Sequence, residues 1–434
     1  MEKDIEVEIV ARETIKPSSP TPHHLRTHKL SFRDQVSPFR YVSLAFFYVA
    51  NTIAAKTDEK YEEMVILSQR LKVSLSETLT HFYPLAGRLR DNLLVNCNDE
   101  GVDFLEARVI NYSLSDILER PKTEGIGPLC PIKPIDYYKA PLLLVQVNFF
   151  RCSGVVISLT ISHKIADGVT LAAFMKAWSD MALGSPCTVV PDFSAASSRF
   201  PPRENIPIGS YTINETSQKI VRKRFVVDAS KIADLKAKVA SANVPQPTRV
   251  EAVTALVWKC AVAASKSRSR SRFGGSPRPY ALMGAVNMRS RLVPPLPKYC
   301  FGNVTGMFWA MLDKDDHESQ ATDDLPSLVY RLRKRIEESS KGNKMGLNGD
   351  DMELYSQTSW CGFPIYQVDF GLGKPTWVSI VGKGGPIGIV LMDTRDGEGV
   401  EILLILLEED MALCEADQEL LAFASPNPSV LSKN

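Results

Sequence analysis

Apolar residues follow two different rhythms along this chain. Met64, Leu67, Leu71, Leu75, Leu79 and Phe82 recur every three or four positions, the spacing that gathers one face of a helix. That helix is expected to stop near Tyr83-Pro84, because a residue before proline is pushed out of helical backbone. Leu142 to Phe150 and Val155 to Ile161 are apolar almost without interruption, with Cys152-Ser153-Gly154 between them. They read as strands, the second buried on both faces. It runs into Ser162-His163-Lys164-Ile165-Ala166-Asp167-Gly168. A helix follows, with Leu171, Phe174, Trp178 and Met181 on one face and Gly184-Ser185-Pro186 at its end.

From about Ser197 to Ser217 the periodicity disappears, and Phe200-Pro201-Pro202-Arg203 and Pro207-Ile208-Gly209-Ser210 read as a crossover. Regular structure resumes at Val221. Ile232, Leu235 and Val239 mark a helix capped by Asp228 or Ser230. A second helix spans about Val250 to Ala264, and Leu328, Leu332 and Ile336 mark a third. The last hundred or so residues read mostly as strands, with turns at Gly371, Gly373, Gly384-Gly385 and Asp396-Gly397. The expected class is α/β in two halves. Residues 1–196 form the first, 197–220 the crossover and 221–434 the second.

The 434 residues exceed one ordinary core. Lys+Arg is 51 and Asp+Glu is 50, a balance that argues against nucleic acid as the main partner. No secretory signal or stretch able to span a bilayer is visible. Eight cysteines are scattered without a CxxC pair, so no metal site is expected and free thiols in the cytoplasm are.

Six histidines are present. His23, His24 and His28 lie near the N-terminus, His81 at a helix end and His317 in an acidic loop. His163 alone ends a buried strand and opens a turn into a helix, where α/β folds place reactive groups. A neutral imidazole there could take a proton from a hydroxyl attacking a carbonyl. Asp167, four residues on, has two readings: a partner in a His-Asp dyad, or a helix cap paired with an arginine. His-x-x-x-Asp alone arises by chance in about one such chain in three or four.

The wider context is more specific. Ser162 to Gly168 resembles the SHKxxDG form of the HxxxD motif of the plant BAHD acyltransferases. Asp369-Phe370-Gly371-Leu372-Gly373-Lys374-Pro375 resembles their DFGWGKP signature. Tyr83 to Arg88, Thr248 to Glu251, Val286 to Arg291, Phe301-Gly302-Asn303 and Leu391 to Arg395 resemble further family blocks, in the family's order. Pro17 to Pro22, Val95 to Asp99 and Thr358-Ser359-Trp360-Cys361 are most similar to the branch containing vinorine synthase and the stemmadenine and salutaridinol O-acetyltransferases.

The resemblance implies two similar-sized CoA-dependent acyltransferase domains with mixed sheets and an active-site channel at their interface. It implies a monomer with no bound cofactor, acetyl-CoA or another acyl-CoA as co-substrate, and an alcohol such as an alkaloid as acceptor. His163, Asp167 and Asp369 form the expected catalytic set, His163 as base. Asp167 is expected to pair with Arg289, or failing that Arg291, and Asp369 to hold a loop of the second domain. Thr358 and Trp360 are expected to steady the oxyanion. Two positions depart from the pattern: Leu372 stands where tryptophan is usual and Gly362 where arginine is common. The alternatives are another acyl group, including malonyl or benzoyl, or a catalytically weak relative acting as a binding protein. The Lys266 to Arg272 run is expected to be a solvated loop rather than a site for CoA phosphates, and a cysteine nucleophile is not expected.

Overall fold

The computed structural model describes residues 4–431 apart from 50–56, 122, 135, 152–153, 205, 207–217, 274–278, 313–323, 340–351 and 383–385. The expected turn at Gly384-Gly385, His317 and half of the crossover lie outside the described residues.

The helix Thr57–His81 buries Leu67, Leu71, Leu75 and Leu79, and a short 3-10 turn, Tyr83–Ala86, follows it. This helix packs against Gly168–Ala182, where the Trp178 indole N–H donates to Ser74 Oγ at 3.1 Å. Strands Leu143–Phe150 and Val155–Ser162 are buried at every position, which explains their unbroken apolar sequence. They sit inside a mixed six-stranded sheet ordered Val7–Ile15, Val102–Val109, Leu143–Phe150, Val155–Ser162, Tyr41–Tyr48 and Trp377–Val381.

The second sheet is also mixed. Its order is Thr305–Leu312, Tyr280–Asn287, Glu353–Ser359, Gly388–Asp393, Val400–Leu407, Ile220–Val227 and Ser425–Pro426. The helix Arg249–Phe273 packs on it and carries Val253, Leu256, Val257 and Trp258 into a second core.

Two details differ from the sequence reading. Strand Trp377–Val381 lies beyond the crossover yet pairs with Tyr41–Tyr48 of the first sheet, Ser43 opposite Val381. The expected 221–434 unit therefore lends one strand to its neighbour. Trp377 explains part of this: its ring packs on Phe47 while its indole N–H donates to Glu401 of the second sheet at 2.8 Å. Second, the Lys266–Arg272 run continues a helix rather than forming a loop. Arg268 is held there by Asp410 at 2.7 Å and Glu353 at 3.0 Å, acidic partners that no local periodicity reveals.

Candidate active site

Strand Val155–Ser162 delivers His163 to one end of the first sheet, where Ser162 lies opposite Tyr41. The His163 backbone N–H donates to the Arg40 carbonyl at 2.8 Å, and its own carbonyl accepts from Asn303 Nδ2 at 2.8 Å. Residues from both halves thus hold the backbone of one histidine. The side chain is half-buried and Nδ1 is enclosed without a hydrogen-bond partner. Of the two ring nitrogens, this leaves Nε2 for a substrate.

Burial, then the Arg40 charge, pull the His163 pKa down to about 4. The residue's own carbonyl, Asp167 and Asn303 oppose that shift without cancelling it. The imidazole is neutral over the physiological range, the state a general base requires.

Asp167 faces elsewhere. It caps the helix Gly168–Ala182 by accepting from the Thr170 backbone N–H at 2.9 Å. Arg289 donates to both carboxylate oxygens, at 2.7 and 3.1 Å, and Val304 N–H adds a further bond at 3.0 Å. Arg289 also donates to the carbonyls of Cys300 and Gly302. Both side chains are 3 % exposed, so each charge depends on the other for solvation. No hydrogen bond joins Asp167 to His163 among the described residues. Arg291, the alternative partner, is exposed and makes no ion pair among the described residues.

Asp369 is a third arrangement. Its Oδ1 accepts the backbone N–H groups of Gly371, Leu372 and Gly373 at 2.7, 3.1 and 3.0 Å. Gly371 and Gly373 have φ of 81° and 79°, the left-handed region that favours glycine. A Cβ on Gly371 would also stand 2.8 Å from the Arg70 guanidinium. The loop comes from the second half of the chain but packs on the first core, where Phe370 lies against Trp178 and Tyr48. Leu372 packs against the same core. Asp369 organises its own loop and is not brought to His163 by any hydrogen bond.

Trp360 is buried with Phe363 against Gly168, at the start of the helix after the HxxxD turn. Thr358 is half-buried in the strand Glu353–Ser359, opposite Val390. Gly362 has φ of 84° and donates its N–H to Asp393 at 2.8 Å, so a backbone reason accompanies the missing arginine.

Three residues around His163 take roles that the sequence reading did not assign. Asp34 is buried, accepts from Ser31 N–H and Oγ–H, and receives both N–H groups of Asn303, at 2.6 and 2.9 Å. Burial pushes its carboxyl up against the effect of those bonds. Asn303 Nδ2 is therefore committed to Asp34 and to the His163 carbonyl, which turns its Oδ1 away from both. That oxygen, like His163 Nδ1, is buried with no aligned partner. Lys164 is fully buried and donates to the carbonyls of Gln35 and Ser37 at 2.7 and 3.0 Å, over the Phe39 ring. Burial lowers it to about 8. The Ser31-Phe32-Arg33-Asp34 spacing of a capping box was the available signal for the first; Lys164 and Asn303 lie in the SHKxxDG and Phe301-Gly302-Asn303 segments, but nothing local shows the distant groups they bond.

Six of the described thiols are held protonated by burial, Cys260 among them. Burial raises Cys97, Cys130, Cys361 and Cys414 to about 12 and Cys300 to about 11. Among the described residues no three His, Cys, Asp or Glu side chains are placed to hold a metal, and no helix is long and apolar enough to cross a membrane.

Two mixed α/β halves meeting at one neutral histidine define a CoA-dependent acyltransferase class of protein. The chain belongs to the Transferase family, the BAHD acyltransferases, whose profile matches residues 5–421. It is 37% identical to epi-neemfruitin B 7-O-acetyltransferase of Melia azedarach, over 98% of this chain and all of that one. It is 36% identical to stemmadenine O-acetyltransferase of Catharanthus roseus, over 95% and 97%. The crystal structure of vinorine synthase superposes with a TM-score of 0.81 at 33% identity, covering 98% of this chain and 100% of that one. BAHD transferases use an acyl-CoA as co-substrate.

Proposed function

We propose that this chain transfers acetyl from acetyl-CoA to a hydroxyl of a plant specialised metabolite, such as an alkaloid, by direct transfer in a ternary complex. The observation that carries the mechanism is His163: neutral, fixed by backbone bonds from both halves, and enclosed at Nδ1, which leaves Nε2 as the nitrogen to meet a substrate. The acetyl donor and the acceptor class are supported by the relatives' activities, among them O-acetylation of stemmadenine.

In the first step His163 Nε2 takes the hydroxyl proton as the oxygen attacks the thioester carbon. A base held near 4 does not remove that proton ahead of attack, so the transfer accompanies C–O bond formation. The tetrahedral oxyanion then collapses, the C–S bond breaks, and the imidazolium returns its proton to the departing thiolate. That return is strongly downhill from so acidic an imidazolium. Thr358 and Trp360 are the proposed oxyanion-side residues; Trp360's packing on Gly168 supports its placement near the turn. Asp167, Arg289 and Asp369 are assigned structural roles. The proposed location is the cytoplasm, which the free thiols among the described residues support, and the proposed state is a monomer.

The test is to incubate the purified protein with acetyl-CoA or malonyl-CoA and a panel of plant alkaloid alcohols, reading products by mass. Acetyl esters that form only when both acetyl-CoA and an alcohol are present are expected. Malonyl esters alone, or no ester with any alcohol, would contradict the reading.

A further inference from the structure

Three strand ends meet beside His163. Arg40 precedes the strand Tyr41–Tyr48, and its carbonyl accepts the His163 N–H. Gly382 follows the strand Trp377–Val381, which is the neighbour of Tyr41–Tyr48 on the other side. Over Gly382, where no side chain stands, two cations converge. A Cβ there would lie 3.4 Å from Lys133 Nζ and 3.6 Å from each terminal nitrogen of Arg222. Arg222 belongs to the strand Ile220–Val227 of the second sheet, so both halves of the chain wall this place.

Arg40 and Lys133 are exposed to solvent, yet burial pulls the ionisation of each down. Lys133 and Arg222 converge over the open space left by Gly382, at the end of the strand that pairs with the one Arg40 precedes. Arg222 and Arg40 lower Lys133 further by repulsion, and the Arg40 charge also acts on His163. Among the described residues neither Arg40 nor Lys133 has an ion-pair partner; Glu124 accepts the Arg222 backbone N–H at 2.8 Å and its charge acts on Arg222. A cleft lined by one sign of charge focuses its field and concentrates the opposite ion.

We propose that Arg40, Lys133 and Arg222 form an anion-binding cleft beside the His163 recess, which receives a carboxylate or phosphate carried by one of the two substrates. This deepens the acyl-transfer reading and rests on it for the identity of the ligand. The shared chemistry has two sources, the phosphates of CoA and a carboxylate on the acceptor, and one experiment separates them.

Dissociation constants are measured for CoA, 3′-dephospho-CoA, 4-(hydroxymethyl)benzoate and benzyl alcohol on the wild type, Lys133→Gln, Arg40→Gln and Lys139→Gln. Lys139 carries a solvated charge near Asp136, outside the cleft, and serves as the control. A loss of about tenfold, one charge-assisted contact, is expected in the first two variants for one anionic source. Benzyl alcohol and the Lys139→Gln control stay unchanged. Weakened CoA with unchanged dephospho-CoA assigns the cleft to the 3′-phosphate; equal weakening of both assigns it to the pyrophosphate. Weakening confined to the benzoate assigns it to the acceptor. Unchanged CoA affinity in both variants, with no wild-type preference for the benzoate over benzyl alcohol, overturns the proposal. Charge-dependent CoA binding without transfer to any alcohol would instead sink the acetyl-transfer reading and leave the cleft standing.

Discussion

The HxxxD turn and the Asp369 loop are both signature segments, and both place an aspartate within two residues of a glycine, but the two aspartates are satisfied in opposite ways. Asp167 reaches across the molecule to Arg289 and Val304, 122 and 137 residues away, inside a site closed to solvent. Asp369 bonds only to the backbone two to four residues ahead of it, in a partly exposed loop. The first aspartate couples the two halves around His163; the second shapes one turn. Neither hydrogen-bonds the histidine, so shared presence in a signature does not imply a shared chemical role.

The largest expected effect separates the histidine from both aspartates. His163→Ala should lower turnover by about 10²–10⁴-fold, the usual worth of a positioned base, while the urea midpoint stays close to wild type. Asp167→Ala should do the reverse. It strands a buried Arg289 and should cost about 3–5 kcal/mol of stability in denaturant titration. Asp167→Asn keeps the cap acceptor and should lose less. Equal losses for Asp167→Ala and Asp369→Ala would erase the contrast.

Acid sharpens it next. His28 is buried between the edges of Phe193 and Phe301, and burial lowers it to about 4. The unfolded chain, with histidine near 6.5, binds the proton more readily. Stability is therefore present above pH 6.5 and lost as pH falls toward 4, on the order of 3 kcal/mol for such a group. His28→Phe should remove the His28 share of that loss in melting curves recorded across the window, leaving the share of His163, which burial lowers to the same value. Turnover per folded molecule should meanwhile persist to about pH 4, where His163 takes up its proton.

Asp369→Ala, losing local bonds in a partly solvated loop, should cost only about 1–2 kcal/mol. Leu372→Trp should be smallest, within about 0.5 kcal/mol, because Leu372 already packs on the first core. A larger shift at Leu372 in the same titration would mean the loop is held by that side chain more than by Asp369.

What could be read from sequence followed contact range. The leucines at 67, 71, 75 and 79 mark a helix because their partners on its face are four residues away. The unbroken apolar strand before His163 signals burial on both faces, and its end locates the turn. Strand Trp377–Val381 could be seen as a strand but not assigned to a sheet, since its partner is more than 300 residues away. The roles of Asp34, Asn303 and Lys164 stayed hidden for the same reason. Each is a polar residue whose meaning lies in distant carbonyls and amides. The helix through Lys266 to Arg272 was missed because a Ser/Arg alternation carries no apolar stripe.

The most direct measurement compares turnover per folded molecule for His163→Ala and Asp167→Asn, with acetyl-CoA and an alcohol found by the product screen. Folded fraction is set by denaturant titration of the same samples. The account predicts a loss of at least about 10²-fold for His163→Ala and less than about tenfold for folded Asp167→Asn. A folded Asp167→Asn as inactive as His163→Ala would contradict it, and would restore the aspartate to the chemistry as the partner of the histidine.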